Sequence, residues 1–344
     1  MPSLFTAHPP VLETAYSELK RRAFEQASVL VGTPGSVGER MVNERAFLYR
    51  QFYDADGRKR AEYIGPADLP SARASAEAVR ERIAETNGLL AQARLLARQG
   101  YVRVDAHAGS VVAALANHGL FRAGAVLVGS HAYGVLLNEL GIRGAAFRTE
   151  DVDVARDARL QLSAGSVSFA QMLEDSHIVF APVPGFDRKT PPTSFKAPGR
   201  HGLRVDLLVP TSGREVGVKA IPELDAHATA LPHLRYLLAE PVDAILVGRE
   251  NVTPVRVPSP ERFAWHKALL SQVRTTTGEK ITKDLHQAAV LFAVLAEREP
   301  GALADAWRAM DSKRKARVGG ARVRDLLVAH GQIRAADVLS EIIA

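Results

Sequence analysis

Asp151-Val152-Asp153-Val154 places two carboxylates one residue apart in a segment that alternates polar and apolar. On a β-strand, side chains at i and i+2 leave the same face, so the two carboxylates converge. Like charges that close repel, and burial raises their pKa values. A divalent cation removes the conflict. Mg2+ (or Mn2+) suits such a pair, because magnesium takes one or two carboxylates and fills its shell with phosphate oxygens. Asp206 lies inside a second apolar segment, Leu203 to Val209, where a charge is costly unless it faces a site or a partner. Three carboxylates can hold two metals that clamp the attacking and leaving oxygens of a phosphoryl transfer. Gly129-Ser130 follows the apolar run Ala125 to Val128 and precedes a helical pattern, Ala132, Val135, Leu136 and Leu140. A glycine at such a turn allows close backbone approach. The helix N-terminus behind it offers free N–H groups to a phosphate, and Ser130 adds a hydroxyl. Together these residues imply attack by a hydroxyl on the α-phosphate of an NTP, with pyrophosphate leaving.

The elements that must position them read as an α/β protein, a mixed sheet core with helical flanking regions. Residues 1–105 give a helix over Leu12 to Val31, a loop over Gly32 to Gly38, a β-hairpin about the turn Asp54-Ala55-Asp56-Gly57, and a helix over Ser71 to Gln99 that stops at Gly100. Residues 106–215 form the core: a short helix over Ser110 to Asn117, the strand–turn–helix at Gly129, the Asp151 strand, and strands over His177 to Val183 and Leu203 to Val209. Gly141 to Ala146 is expected as an added loop, and Pro184 to Arg200 as a long one. Residues 216–344 read as helical. One helix starts at Ser259-Pro260-Glu261, with a capping serine and proline in the first turn. Another starts near Glu279, and two short ones lie between Arg322 and Ile343.

Composition excludes several classes. The 344 residues are 47% hydrophobic and 24% charged, as in an ordinary folded protein, and include no cysteine. Disulfides, thiolate metal sites and cysteine nucleophiles are therefore out. No apolar run reaches membrane-spanning length and the N-terminus does not read as a secretory signal, so a cytoplasmic address is expected. Ser130, His131 and Asp151 do not make a hydrolytic triad, because no Gly-x-Ser-x-Gly elbow is present. No His-Glu-x-x-His zinc spacing occurs, and the Gly32 to Gly38 loop lacks a terminal Gly-Lys-Ser/Thr.

Strand, Gly129-Ser130, helix, then Asp151-x-Asp153, then Asp206 on a later strand resembles the DNA polymerase β-type nucleotidyltransferase superfamily over residues 124–209. The resemblance implies that Asp151 and Asp153 bind both metals. It also implies that Asp206 binds the catalytic metal and helps deprotonate the acceptor. Arg122 to Ser130, Leu231 to Leu246 and Val257 to Lys267 further resemble bacterial nucleotidyltransferase-like proteins, distantly like the toxins of type IV toxin–antitoxin pairs. That implies an antitoxin or another protein as a partner. The segment from Ser130 to Asp151 is longer than is common in the superfamily. Glu150 in place of Asp151 is rejected, since Glu150 and Val152 would share the other face.

Further residues are assigned by chemistry and resemblance together. Lys267 shares a helix face with Phe263 and Leu270 and is expected at the triphosphate, unless it snorkels. Lys283 and Asp284 are expected at the nucleotide cleft, with a solvated helix face as the alternative. In the hairpin, Arg45, Arg50, Arg58, Lys59 and Arg60 alternate with Phe47, Tyr49, Phe52, Tyr53 and Tyr63. That mixture suits RNA, and also suits a core-packed sheet with solvated arginines. Gly185-Phe186-Asp187-Arg188-Lys189, Lys196 and Arg200 are expected as a basic rim near Asp206. With a net charge of +6, RNA (tRNA among them) is the favoured acceptor. The alternatives are a protein or small-molecule acceptor, or a non-catalytic binding protein on the same fold.

Overall fold

A computed structural model describes residues 3–147, 149–162, 167–185, 190–200, 202–213, 215–273 and 278–344. Its centre is a mixed seven-stranded sheet. The strand Asp151–Ala155 runs antiparallel to Val126–Val128 on one side and parallel to Arg204–Pro210 on the other. The sheet then continues through Ala226–Leu231 and Gly217–Ile221, past residue 215. On the inward face Val152, Val154, Val205 and Leu207 are buried. Alternation therefore sends Asp151, Asp153, Arg204 and Asp206 together to the opposite face.

The N-terminal helix is shorter than its apolar spacing suggests, Pro10–Glu25. Gln26 turns the chain by donating to the Val252 carbonyl at 3.0 Å. The backbone of Val29 is then held on both sides by the Asn117 side chain, at 2.9 and 2.8 Å. Val29 and Val31 pack as an extended segment on the helix Ala106–Asn117 instead of continuing a helix. The expected hairpin is present as Arg45–Tyr53 and Lys59–Pro66. A third strand, Ser36–Val42, pairs with the first, so the expected loop ends at Gly35. The helix Pro70–Arg98 lies against this sheet through Ala72 and Ala76, and Gly100 beyond it takes φ +99°.

Four expectations are corrected. Ile142–Gly144 is not a free loop but a strand paired with Phe5–Ala7. The segment from His177 to Val183 is not a continuous strand. A helix at Phe169–Glu174 precedes it, Ser176 folds its hydroxyl onto the Leu173 carbonyl, and His177 sits at φ +59°, which leaves only Ala181–Pro182 extended. The long loop after it contains a strand, Ser194–Lys196, that pairs with Arg204–Asp206. The region after 216 is not purely helical: Val242–Val247 and Val252–Val257 form a β-hairpin before the helices begin. β-branched residues fill that hairpin and pack on Leu19, Leu89 and Leu96 of the N-terminal helices.

The C-terminal helices are Pro260–Val273, Gly278–Arg298, Pro300–Arg308, Lys313–Ala329 and Ile333–Ile343. Trp265, Phe292 and Trp307 make their shared core. Ser259 precedes the first of them, yet its buried hydroxyl has no partner among the described residues, so it is not a side-chain cap.

Candidate active site

The sheet register builds the site. Asp153 is the Cα partner of Asp206 on one side and of Val128 on the other. Val128 is the residue before Gly129, so the Asp-x-Asp strand, the third carboxylate and the glycine turn meet along one row. Gly129 holds φ +70°, and a Cβ there would fall on the Asp153 carboxylate. Only glycine allows this approach without strain, since a left-handed conformation costs an L-residue about 1–2 kcal/mol. The helix Gly129–Glu139 that follows has Val128 as its extended N-cap and no side-chain cap. Its first-turn N–H groups are therefore not taken by a capping side chain. The half-buried Ser130 hydroxyl makes no hydrogen bond among the described residues. Turn and helix end thus leave donors for an anion.

Electrostatics agree with the geometry. Asp151 is held above the usual carboxylate range, first by burial and then by the negative charge of Asp206; Arg204 and Lys280 oppose the shift. Arg204 was missed in the sequence. It lies two residues before Asp206 on the same strand, and its Nε donates to Asp206 Oδ1 at 2.7 Å while its Nη2 donates to Ser194 Oγ at 2.8 Å. The same i, i+2 rule that found the aspartate pair would have found it. Among the described residues no three acidic or histidine side chains stand close enough to hold an ion as placed. Asp206 is turned to Arg204, which supplies its positive charge. The donor set itself, all carboxylate oxygen, suits a hard divalent cation, and the crowding of Asp151 by Asp206 is the conflict such a cation relieves.

A cleft of about 1140 Å³ opens beside these residues, with Ser130, His131, Asp151 and Lys283 in its wall. Lys283 sits over the Phe147 ring, 5.5 Å from its centroid. His131 is buried, with no hydrogen-bond partner for its Nε2 among the described residues, and burial pulls its pKa down to about 4, so the ring is neutral at pH 7. Lys267 and Asp284 are not among the cleft-lining residues. They bond to each other at 2.8 Å, buried, between Pro260–Val273 and Gly278–Arg298.

The N-terminal sheet divides its basic and aromatic residues between two roles. Arg50 is buried. It donates to the carbonyls of Val31, Thr33 and Pro34, pairs with Glu62 and lies over the Phe52 ring, which makes it a clamp for the preceding loop. Arg58 pairs with Asp56, and Arg60 with Asp54. Tyr53 and Tyr63 are exposed. Of the expected basic rim, Phe186, Asp187, Arg188 and Lys189 lie outside the described residues. Lys196 and Arg200 join in one hydrogen bond, from Lys196 Nζ to the Arg200 carbonyl.

A family model described as Nucleotidyltransferase matches residues 106–311, more than half of the chain, and the chain belongs to that family. Its activity is therefore nucleotidyl transfer and its substrate an NTP. The matched span includes Gly129, Ser130, Asp151, Asp153, Asp206, Lys267, Lys283 and Asp284. No curated protein matches the chain. Among solved structures, an antigenic nucleotidyltransferase-like protein from Paracoccidioides brasiliensis is similar over 61% of this chain and 91% of that one, at 16% identity and a TM-score of 0.32. No helix among the described residues is long and apolar enough to cross a membrane.

The glycine turn makes a direct prediction. Gly129→Ala is expected to cost about 1–2 kcal/mol of stability and most of the transfer activity, because the new methyl displaces the Asp153 carboxylate. Denaturant unfolding and NTP label transfer read the two effects. A fully active alanine variant would show that this close approach is dispensable.

Proposed function

We propose that the chain transfers a nucleoside monophosphate from NTP to a hydroxyl of RNA, tRNA being one candidate, with Asp151, Asp153 and Asp206 as the metal-binding carboxylates. The observation that carries this reading is the register row in which Val128, Asp153 and Asp206 are adjacent. It sets the phosphate-receiving turn beside the carboxylates. Mg2+ or Mn2+ held there would neutralise charge developing on the phosphoryl oxygens and the leaving pyrophosphate. Gly129 and the first turn of its helix receive the triphosphate through backbone N–H groups. Ser130 adds a hydroxyl donor, and Lys283 adds a positive charge in the same cleft wall. Asp206, beside Arg204, takes the acceptor proton. Lys267 and Asp284 support the nucleotide side by fixing the two helices that carry them and Lys283.

The test is label transfer from each of the four α-³²P NTPs, with Mg2+ or Mn2+, into a cell extract separated into RNA, protein and small-molecule fractions. Asp151→Ala/Asp153→Ala is the control. Label in RNA that disappears in the variant is the expected result. Variant-sensitive label in protein or small molecules instead would replace the acceptor, and no variant-sensitive label in any fraction would overturn the catalytic assignment.

A further inference from the structure

The cleft is larger than an NTP needs. At about 1140 Å³ it exceeds the roughly 300–1,000 Å³ usual for a small-molecule site. Ser130, His131, Gly134 and Asn138 of one helix line it. Ser130 and Asn138 are eight helical steps apart, about 12 Å at a rise of 1.5 Å per residue. The segment Gly100 to Asp105 packs alongside that helix, with Val102 against Gly134, and lines the cleft with it. Asn138 fixes that segment by bonding both the N–H and the carbonyl of Val102, at 2.7 and 2.9 Å, and Val104 N–H bonds the Val247 carbonyl at 2.9 Å. Ser130 and Asp151 mark one end of the cleft. Gly100 and Arg143 mark the other, where the Arg143 side chain lies close against Gly100.

The second end carries the opposite charge. Arg103 and Arg143 line the cleft and are exposed. Neither makes an ion pair or a side-chain hydrogen bond among the described residues. Arg249 joins them from the turn between Val247 and Val252, with Glu250 3.5 Å from its Nε. The three guanidiniums come from three separate segments, so no single helix or strand pattern places them together. Like charges gathered in one cleft repel unless an anion is bound between them. The triphosphate is already served at the far end by Gly129, Ser130 and Lys283, and the arginines are left for a second polyanion. Guanidinium groups suit phosphate oxygens through paired N–H donors. The half-buried Phe147 ring, in the same wall, offers a face to a base.

We propose that Arg103, Arg143 and Arg249 hold the phosphodiester backbone of a single-stranded RNA acceptor and lead its terminal hydroxyl along the cleft to the carboxylates. The terminal-hydroxyl part rests on the transferase reading above; the RNA track itself is read without NTP. A fluorescently labelled single-stranded RNA of about 12 nucleotides, within the range one such site covers, is titrated by anisotropy across a salt series. Arg103→Ala/Arg143→Ala should bind at least about 10-fold more weakly at low salt, and its log–log salt slope should fall by about 1.4, roughly 0.7 for each phosphate that the variant no longer neutralises. Arg103→Lys/Arg143→Lys should recover most of the affinity. NTP affinity by equilibrium dialysis should not change.

Unchanged RNA affinity in the alanine variant overturns the proposal. So does a parallel loss of NTP affinity, which would assign the arginines to the triphosphate. Tighter binding of an acidic peptide of equal charge overturns it in favour of a protein. Wild-type protein that binds no RNA sinks this inference alone. RNA binding that depends on the arginines, together with no variant-sensitive label transfer, sinks the catalytic reading and sustains the RNA track.

Discussion

Asp153→Asn should lower nucleotidyl transfer by more than about 100-fold while leaving the fold intact. Partners that merely orient a metal ligand are worth roughly 10–100-fold, and Asp153 is the carboxylate at the middle of the row. It is the Cα partner of both Val128 and Asp206, and its oxygen rests against Gly129. Asparagine keeps the shape, so the backbone approach at Gly129 is preserved and only the charge is lost. Asp151 is more exposed, at the start of its strand, and Asp206 already shares its charge with Arg204. Those two positions should tolerate the same change less badly than they tolerate alanine. Label transfer with each NTP and a denaturant melt of the same preparation separate activity from folding. Wild-type transfer by a folded Asp153→Asn protein would remove the row from the chemistry.

Much of the geometry of the candidate site was legible because its signals are local. Asp151 and Asp153 are two residues apart, and alternation alone puts them on one face. Gly129-Ser130 follows an apolar run and opens a helix, and the helix pattern itself names the turn. Asp206 stands out as a charge inside a buried strand. The remainder was hidden because it depends on register and on distant segments. Nothing in a single strand says that Asp206 pairs with Asp153 and not with Asp151; that is set by how Arg204–Pro210 slides against Asp151–Ala155. The arginines of the cleft sit at 103, 143 and 249 and meet only through tertiary packing. The hairpin Val242–Val257 was missed because Pro254 interrupts its second strand, and proline is tolerated there only because this two-stranded ribbon has free edges. Arg50 was read as a solvent or RNA residue, since sequence gives no sign of the three carbonyls that receive it.

Asp284→Ala should destabilise the chain by about 3–5 kcal/mol, the usual cost of removing one partner from a buried ion pair. Lys267 and Asp284 are 6% and 1% exposed, so water cannot replace the lost carboxylate. The ammonium also lies over the Phe263 ring, 5.2 Å from its centroid, and a ring face offsets only a fraction of a buried charge. The pair also joins Pro260–Val273 to Gly278–Arg298, and the second helix carries Lys283 into the cleft. Lys267→Met added to Asp284→Ala should restore much of the stability, because it removes the buried charge that the single variant leaves without its partner. That double variant also separates support from phosphate contact. If Lys267 serves only to fix the helices, the double variant binds NTP as the wild type does. If the ammonium also reaches the triphosphate, NTP affinity falls in a protein whose denaturant midpoint has recovered. An Asp284→Ala chain that unfolds at the wild-type midpoint would show that the pair contributes nothing to holding the helices together.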